Sequence, residues 1–407
     1  MSERSSEPVS LNFNPMSPAF IADPYPTYAQ LREHAPVLKT PLGFWLTSRH
    51  EDVSLVVRDR RFGKGFSERM TKRYGADHLK EPAIRSLGFM MLVQDPPVHS
   101  RLRGLVTKAF TSKRIEQMRE RIEQLANELI DDVEGAGQMD VLADFAHKLP
   151  VHVICDMLGI PEAHRERFLG SSQVSGRLID PTPLSEEELA FANERTAASE
   201  AYFHSLFDHR RKTPGSDLTS HLVQVEEAGD HLTDDEMTSN IILLFAAGHE
   251  TTSNLIGNGL LALFRHPDQL ALMRSGQLDW GDAVEELLRF DSSVQMTSRT
   301  TKEAVEIGGV EIPAGEQVIA LLGAANHDPS IYESPERLDL TRSGVRAMSF
   351  GGGIHICLGA RLARLEGEVA FQTLMKRLPK LELPETNDVA WRNTFTLRGL
   401  QRLVATW

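Results

Sequence analysis

A glycine-rich segment that leads to a cysteine has the clearest chemical potential in the chain: Ser349-Phe350-Gly351-Gly352-Gly353-Ile354-His355-Ile356-Cys357-Leu358-Gly359-Ala360. Leu358, Leu362, Leu365 and Val369 follow at helical spacing, so an amphipathic helix is predicted to begin just after the cysteine. At the start of this helix Cys357 would lie near unpaired backbone N–H groups and the positive end of the helix dipole, which stabilise a thiolate. A thiolate there is either a nucleophile or a metal ligand. The alternative is that Cys357 is only a small buried hydrophobic residue, the usual role of a lone cysteine.

A second candidate site lies in the middle of a long predicted helix, at Ala247-Gly248-His249-Glu250-Thr251-Thr252. Thr233 and Glu236 have the spacing of a capping box, and the helical pattern continues to Arg265. The first half of the helix is apolar on nearly every face and must be buried. A glycine in a helix interior costs roughly 1 kcal/mol relative to alanine, and a buried acid requires a partner or water. Two unfavourable residues at one point indicate a functional site; the alternative is a structural kink with a hydrogen-bonded Glu250.

The pattern Phe-x-x-Gly-x-His-x-Cys-x-Gly is met in full by Phe350, Gly353, His355, Cys357 and Gly359. With this segment the chain resembles the cytochrome P450 family of haem-thiolate monooxygenases, whose proximal haem ligand is a cysteine thiolate. The resemblance covers nearly the whole chain, from about residue 24 to residue 403, with the motifs in family order. It implies a mostly α fold with small β-sheets, with the haem between the long Thr251 helix and the helix after Cys357.

The resemblance also implies a haem b cofactor whose iron is bound by Cys357. The other residues implied for the cofactor site are His99, Arg103, Arg299, His355, Gly248, Phe350 and Gly359. His99 and Arg103 lie four residues apart on one predicted helical face, and with Arg299 and His355 they would neutralise the two haem propionates. Taken alone, His99 and Arg103 could equally form a solvated basic face. His355 and Cys357 could belong to a zinc site, but no second Cys/His pair exists to complete four ligands.

The implied reaction is insertion of one oxygen atom of O₂, the co-substrate, into a C–H or C=C bond of a lipophilic small molecule. Thr251 would donate a hydrogen bond to O₂, and Glu250 would help to relay protons. Two alternatives remain. One is a peroxide-driven haem-thiolate peroxygenase, although such relatives usually lack the acid–threonine pair. The other is a non-catalytic haem-binding sensor or carrier, which needs no proton relay.

Mostly apolar side chains near these segments are the candidates for the substrate pocket: Ile242, Phe245, Ala246, Val294, Gln295, Met296 and Phe395. Phe395 is expected in a turn that points into the pocket. Glu286 and Arg289, three residues apart on a predicted helix, can pair on one face. By resemblance, Arg337 would complete a structural Glu–Arg–Arg cluster that holds the haem-side core together.

Composition and charge restrict the class of protein. The chain has 41% hydrophobic and 25% charged residues, as in ordinary soluble proteins, and a net charge of −13, which argues against a general nucleic-acid binder. Its two cysteines, Cys155 and Cys357, exclude a disulfide framework. Residues 1–20 form a polar extension without a signal-peptide profile, and no apolar run approaches the roughly 20 residues needed to span a bilayer. We expect one domain over residues 1–407, in a cytoplasmic monomer without a membrane anchor.

Several further elements are predicted. Hairpins are expected at residues 37–47 and 305–312, the second with Gly308-Gly309 as a two-residue turn. Residues 61–91 show weak periodicity and are expected to be a mostly irregular segment, which by resemblance would cover the substrate pocket. Residues 163–211, interrupted at 180–183, would form a mobile lid by resemblance.

Electrons would come from a separate ferredoxin or flavodoxin, because no redox domain is recognisable in the sequence. Cationic residues on the cysteine side are candidates for a basic docking patch: Arg101, Lys108, Lys113, Arg114, Arg346, Arg361 and Arg364. An acidic ferredoxin would be steered to such a patch. The alternative is dispersed surface charge with no partner.

Overall fold

The computed structural model describes residues 13–108, 110–168, 184–225, 232–344 and 346–407. In chain order the α-helices are α1 (Pro18–Ala22), α2 (Tyr25–His34), α3 (His50–Arg58), α4 (Phe66–Tyr74), α5 (Pro82–Phe89), α6 (Val98–Thr107), α7 (Ser112–Gln117), α8 (Arg119–Glu134), α9 (Lys148–Leu158), α10 (Glu186–Lys212), α11 (Leu218–Val225), α12 (Asp234–Arg265), α13 (Pro267–Ser275), α14 (Trp280–Phe290), α15 (Leu322–Ala325) and α16 (Ala360–Arg377). The strands are β1 (Val37–Lys39), β2 (Trp45–Thr47), β3 (Phe62–Gly63), β4 (Gln138–Asp140), β5 (Met296–Thr301), β6 (Val305–Ile307), β7 (Val310–Ile312), β8 (Gln317–Leu321) and β9 (Val404–Thr406). The fold is thus mostly α with small sheets, as predicted.

The largest sheet has the strand order β1-β2-β8-β5-β3, and β4-β9 and β6-β7 form two-stranded sheets. Both predicted hairpins are confirmed: β1 pairs with β2, and β6 pairs with β7. In the second hairpin Gly308 and Gly309 have φ angles of 55° and 79°, which a two-residue turn between twisted strands requires. No helix among the described residues is both long and apolar enough to cross a lipid bilayer.

Helix α12 is the longest described helix, with 32 residues, and its N-terminus has the predicted capping box of Thr233 and Glu236. It packs against α9, α5, α14 and α16. Its C-terminal half belongs to the large core cluster that also contains Leu365 and Phe371 of α16. The buried helix predicted from the apolar sequence is therefore confirmed, and it holds the two candidate sites in a fixed relation.

The prediction of a mostly irregular segment at residues 61–91 is wrong. The segment contains α4 and α5, and α5 packs against α10 and α12. Asn193 Oδ1 of α10 also accepts a hydrogen bond from the backbone N–H of Ala83 at 3.0 Å. Tertiary contacts stabilise this helix, whereas its local sequence has weak periodicity. The expected lid includes α10, but its predicted interruption at 180–183 lies outside the described residues.

The core on the cysteine side contains a buried ion-pair cluster around Glu286. Arg289 donates to both Glu286 carboxylate oxygens at 2.7 and 2.8 Å, and also to the carbonyl oxygens of Asn326 and Pro335. The second guanidinium beside Glu286 belongs to Arg342, at 3.2 Å. The predicted Arg337 side chain is exposed, and only its carbonyl oxygen accepts from Arg289. Arg342 replaces Arg337 because the turn after residue 337 brings residue 342 back over Glu286.

We expect Arg342→Gln to lower the free energy of unfolding by about 1–3 kcal/mol, because it removes one guanidinium from a buried carboxylate. Arg289→Gln should cost about 3–5 kcal/mol, since Glu286 would lose its main partner. Arg337→Gln, at an exposed side chain, should change it by less than about 0.5 kcal/mol. Urea unfolding of the three variants measures the order. Equal losses for Arg337→Gln and Arg342→Gln would contradict this assignment.

Candidate active site

The loop before Cys357 is shaped by glycines. Gly351 and Gly353 have φ angles of 69° and 65°, a region that residues with a Cβ atom rarely adopt. A Cβ atom on Gly353 would also lie 2.4 Å from the carbonyl oxygen of Val57 in α3, so no side chain fits there. The backbone N–H of Cys357 donates to the Phe350 carbonyl oxygen at 3.0 Å. These contacts hold the cysteine at the start of α16.

Cys357 has exposed surface, although protein atoms surround its thiol on most sides. This burial raises the pKa of the Cys357 thiol, while the backbone N–H groups of Gly359 and Ala360 and the guanidinium groups of Arg103 and Arg364 lower it. The net shift of this pKa is upward, so the thiol form is favoured unless a cation binds to the sulfur.

Helix α12 has one open face. From Glu236 to Leu263 every residue is buried except five, which form this open face: Ile242, Ala246, Ala247, Gly248 and Thr251. Leu358, which follows the cysteine, packs against the same apolar cluster as Ile242. The open face of α12 and the cysteine loop therefore border a common part of the interior.

Thr251 and Gly248 lie within a continuous helix. Thr251 Oγ1 donates to the Ala247 carbonyl oxygen at 2.9 Å, a contact that can bend a helix slightly. A Cβ atom on Gly248 would lie 3.7 Å from Ile154, an ordinary contact, so protein packing alone does not require glycine there. The neighbouring Thr252 faces Glu366 of α16, and burial raises the pKa of that carboxyl to about 8.

Glu250 is buried and has a cationic partner that the sequence did not indicate. Arg392 Nη1 donates to Glu250 Oε1 at 2.7 Å, and Arg392 Nη2 lies 3.1 Å from His147 Nε2. Burial raises the pKa of Glu250, and Arg392 opposes this shift. The acid is thus satisfied, as the structural interpretation expects, and it also lies one residue from the hydroxyl of Thr251.

The four predicted propionate ligands come together from three parts of the chain. The rings of His99 in α6 and His355 in the cysteine loop are 4.2 Å apart between centroids. Arg103, one helical turn after His99, is close enough to Cys357 for the two charges to interact. The positive charge of Arg299 in β5 lowers the pKa of both histidines. Burial, followed by the neighbouring cations, lowers the pKa of both His99 and His355. Among the described residues, His99 Nδ1 and His355 Nε2 are buried without a hydrogen-bond partner.

Lys64 is a fifth member of this cluster that sequence reasoning missed. Strand β3 pairs with β5 in the register Phe62↔Thr301 and Gly63↔Thr300, so the next position sets Lys64 opposite Arg299. Lys64 is only 6% exposed, and like charges opposite one another are destabilising. Its backbone N–H donates to Asp95 Oδ2 at 2.8 Å, but its ammonium group has no hydrogen-bond or ion-pair partner in the described part of the chain. No local sequence signal marks this lysine, because only the strand pairing brings it to the site.

Most of the predicted pocket residues do not lie on the open face of α12. Phe395 is 2% exposed and packs edge-on against Phe13 and Phe20, in a cluster that includes Met296. Gln295 accepts a hydrogen bond from the Tyr28 hydroxyl at 2.9 Å. The prediction that these three residues line the pocket is wrong, because the N-terminal segment covers them.

The remaining pocket candidates divide into two groups. Phe245 is buried in the apolar cluster of α9 and α12, 5.1 Å from the His249 ring. Val294 packs beside the cluster that contains α3. Ile242 and Ala246 alone of these candidates lie on the open face of α12.

Known proteins with a similar sequence or structure cover almost the whole chain. A sequence model of the family described as Cytochrome P450 matches residues 183–275 and 281–398. Cytochrome P450 107B1 of Saccharopolyspora erythraea is 40% identical over 394 residues, with 95% of each chain covered, and 6-deoxyerythronolide B hydroxylase of the same organism is 40% identical over 405 residues, covering 95% of this chain and 96% of that protein. The solved structure of P450BioI in complex with hexadec-9Z-enoic acid ligated acyl carrier protein has a TM-score of 0.89 at 39% identity, covering 96% of this chain and 100% of that chain. The chain belongs to the cytochrome P450 family.

Cytochromes P450 are monooxygenases that contain haem b and use O₂ as a co-substrate, and this protein is a P450 monooxygenase. The cation cluster fits the two carboxylates of haem b, since neither Lys64, Arg103 nor Arg299 forms an ion pair among the described residues, and two imidazole nitrogens are unpartnered. In the same described ranges, no group of three or more His, Cys, Asp or Glu side chains could hold a metal ion. A zinc site at His355 and Cys357 therefore lacks the further ligands it would need.

We expect Lys64→Met to raise the rate of haem loss about 10- to 100-fold, because removal of a charge-assisted donor typically costs about 1.5–3 kcal/mol. Transfer of haem to an excess of apomyoglobin measures this rate by absorbance. Lys302→Met is the matched control, since Lys302 is a largely exposed neighbour of the same Asp95. Equal haem loss from both variants would mean that Lys64 does not hold the cofactor.

Proposed function

We propose that this P450 inserts one atom of O₂ into a lipophilic small molecule, by hydroxylation or epoxidation, with electrons from a separate ferredoxin or flavodoxin. The observation that carries the proposal is the open face of α12. It presents the apolar residues Ile242, Ala246 and Ala247 beside the hydroxyl-bearing Thr251, within an otherwise buried helix. An apolar molecule and O₂ can therefore bind next to one another against a single helix face.

The chain's own residues supply ligation, binding and proton handling. Haem b supplies the oxidising chemistry when it is bound, and the Cys357 thiolate would hold its iron. Thr251 Oγ1 donates to the Ala247 carbonyl oxygen, and rotation of this hydroxyl would turn its hydrogen bond toward O₂. Glu250, the adjacent residue, is the titratable group that would resupply the proton.

A lipophilic substrate is supported by the relatives and by the apolar helix face. One relative is named a 6-deoxyerythronolide B hydroxylase, and P450BioI was solved with a fatty acid ligated to an acyl carrier protein. The candidate classes are fatty acids, terpenoids, steroids and macrolides. A spectral screen of the holoprotein tests them, since binding next to the iron shifts the haem Soret band. Shifts from polar compounds alone would contradict a lipophilic substrate.

The predicted basic patch is smaller than the sequence indicated. Arg101 pairs with Glu236, and Arg114 contacts His221. Arg364 pairs with Glu285 at 2.7 Å and stacks over the Phe350 ring. The exposed members are Lys108, Lys113, Arg346 and Arg361. Helix α7, which carries Lys113, packs against α16, which carries Arg361. We infer that these exposed cations guide an acidic electron donor to the cysteine side.

Thr251→Ala should lower the product formed per NADH oxidised by about tenfold, because a positioned proton donor contributes at least that much. Thr251→Ser, which keeps the hydroxyl, should retain most of this coupling. Thr252→Ala is a matched control, since its hydroxyl faces Glu366. Chromatographic product yield against NADH consumption measures the ratio.

Unchanged coupling in Thr251→Ala would argue against the proposed role of the hydroxyl. If hydrogen peroxide also supported faster product formation than NADH, the enzyme would be a peroxide-driven peroxygenase instead.

The double variant Lys113→Glu/Arg361→Glu should slow reduction by an acidic ferredoxin about tenfold at low salt, and less at high salt, because salt screens exposed charges. Stopped-flow reduction under carbon monoxide measures the rate. Lys376→Glu is the control, since Lys376 lies in the last turn of the same helix as Arg361, roughly 22 Å away at ~1.5 Å per residue. Salt-independent reduction in all three proteins would exclude steering by this surface.

A further inference from the structure

Helix α4 carries an arginine whose charge is not neutralised by a carboxylate. Arg69 donates from Nε to the Gly65 carbonyl oxygen at 3.4 Å and from Nη1 to Ser298 Oγ of β5 at 3.3 Å. Both acceptors are neutral, and Arg69 forms no ion pair within the described parts of the chain. Burial, followed by the positive charge of Arg73, lowers the pKa of Arg69 to about 10, and Glu68 only partly opposes this shift.

The start of α4 places Arg69 over strand β5. A Cβ atom on Gly65 would lie 2.5 Å from Thr300 Oγ1, so the backbone passes directly against the strand. Arg69 follows one helical turn later and therefore lies over the same strand. Its positive charge and that of Arg299 both lower the pKa of Lys64. Arg69 thus extends the cation cluster toward α4.

The same helix also reaches the apolar interior. Phe66 lies three residues before Arg69, so the two side chains share one helical face. Phe66 packs against the apolar cluster that contains Leu87 of α5, and Ile242 on the open face of α12 packs against this cluster as well. Arg69 itself is half-buried. It is therefore a cation, still reachable by a small molecule, at the edge of the apolar region that the open face of α12 borders.

The carboxylates of haem b do not account for Arg69. The cations that lower the pKa of both His99 and His355 are Lys64, Arg103 and Arg299. These three cations and the two imidazole rings already outnumber the two carboxylates. Arg69 acts on Lys64 and reaches Ser298, so it lies at the α4 end of the cluster. A further anionic group would relieve the cost of its desolvated charge.

We propose that Arg69 binds a carboxylate of the substrate, so that the lipophilic compounds this enzyme oxidises are organic acids. The proposal rests on the proposed function and names the polar group of its substrate. A guanidinium matches a carboxylate with two parallel N–H···O bonds. The apolar part of the acid would lie against the cluster of Phe66 and Ile242. A neutral compound of the same skeleton leaves the guanidinium unpaired and binds more weakly.

The first test compares acids with neutral compounds of the same skeleton in the wild-type holoprotein. The pairs are dodecanoic acid and dodecanol, abietic acid and abietinol, and lithocholic acid and its methyl ester. Titration followed by the Soret band gives a spectral dissociation constant for each compound. We expect the acid to bind about 10- to 100-fold more tightly than its neutral partner in at least one pair, because a hydrogen bond between charged groups contributes that much.

The second test uses Arg69→Met, which removes the charge and keeps an unbranched side chain. Acid binding should weaken to about that of the neutral partner, while binding of the neutral partner should stay unchanged. Arg69→Lys, which retains a positive charge, should restore part of the preference. Lys72→Met is the matched control, since Lys72 is an exposed cation on the same helix, and it should match the wild type.

A third measurement separates substrate binding from cofactor binding. In haem transfer to apomyoglobin, Arg69→Met should lose haem at the wild-type rate, unlike Lys64→Met. Equal acceleration of haem loss in both variants would mean that Arg69 holds a haem carboxylate, and it would overturn the inference.

Equal binding of acid and neutral partner by the wild type in every pair would also overturn the inference, and it would leave the proposed function intact. This comparison needs no variant, so it decides the matter even if Arg69→Met does not fold. Absence of a Soret shift with every lipophilic compound would instead contradict the proposed function.

Discussion

The structure depends on a group of buried and half-buried cationic side chains that the protein does not neutralise by itself. This group consists of Lys64, Arg103 and Arg299, which lie beside two histidines with unpartnered nitrogens. Within the described residues, Asp95 is the one carboxylate whose negative charge raises the pKa of both Lys64 and Arg299. Burial of unpaired charge is costly. The two carboxylates of haem b would relieve this cost. Bound there, the cofactor would hold strand β3, helix α6 and the cysteine loop together in addition to their own contacts.

Helix α12 carries both groups of the acid–threonine pair. It also presents the partly accessible residues Ile242, Ala246 and Ala247, and Thr251 belongs to the same set. Glu250, one residue before Thr251, is buried and paired with Arg392. The capping box and the buried packing of the helix hold these positions in place.

The candidate site was predictable where its residues lie close in sequence. The Cys357 loop, the Gly248–Thr252 stretch and the pair His99 and Arg103 each show a local pattern with a physical reason. The site was not predictable where distant strands and loops bring residues together. Lys64 reaches the cluster only through the β3–β5 register, and Arg392 reaches Glu250 from 142 positions further along the chain. Phe395 and Gln295 were assigned to the pocket because the covering N-terminal segment leaves no signal at those positions.

The sequence alone determined the family and the long buried helix, and it supplied the predictions of Cys357 as the metal ligand and of Glu250 and Thr251 as the acid–threonine pair. Each depends on glycine conformation, helix capping or apolar periodicity within a short stretch. The tertiary structure decided which charged groups meet. Arg342 rather than Arg337 lies against Glu286, Lys64 joins the cofactor cluster, and Arg392 pairs with the catalytic acid candidate. Electrostatic partners act through space over a few ångströms, and that proximity is set by strand register and loop closure rather than by local sequence.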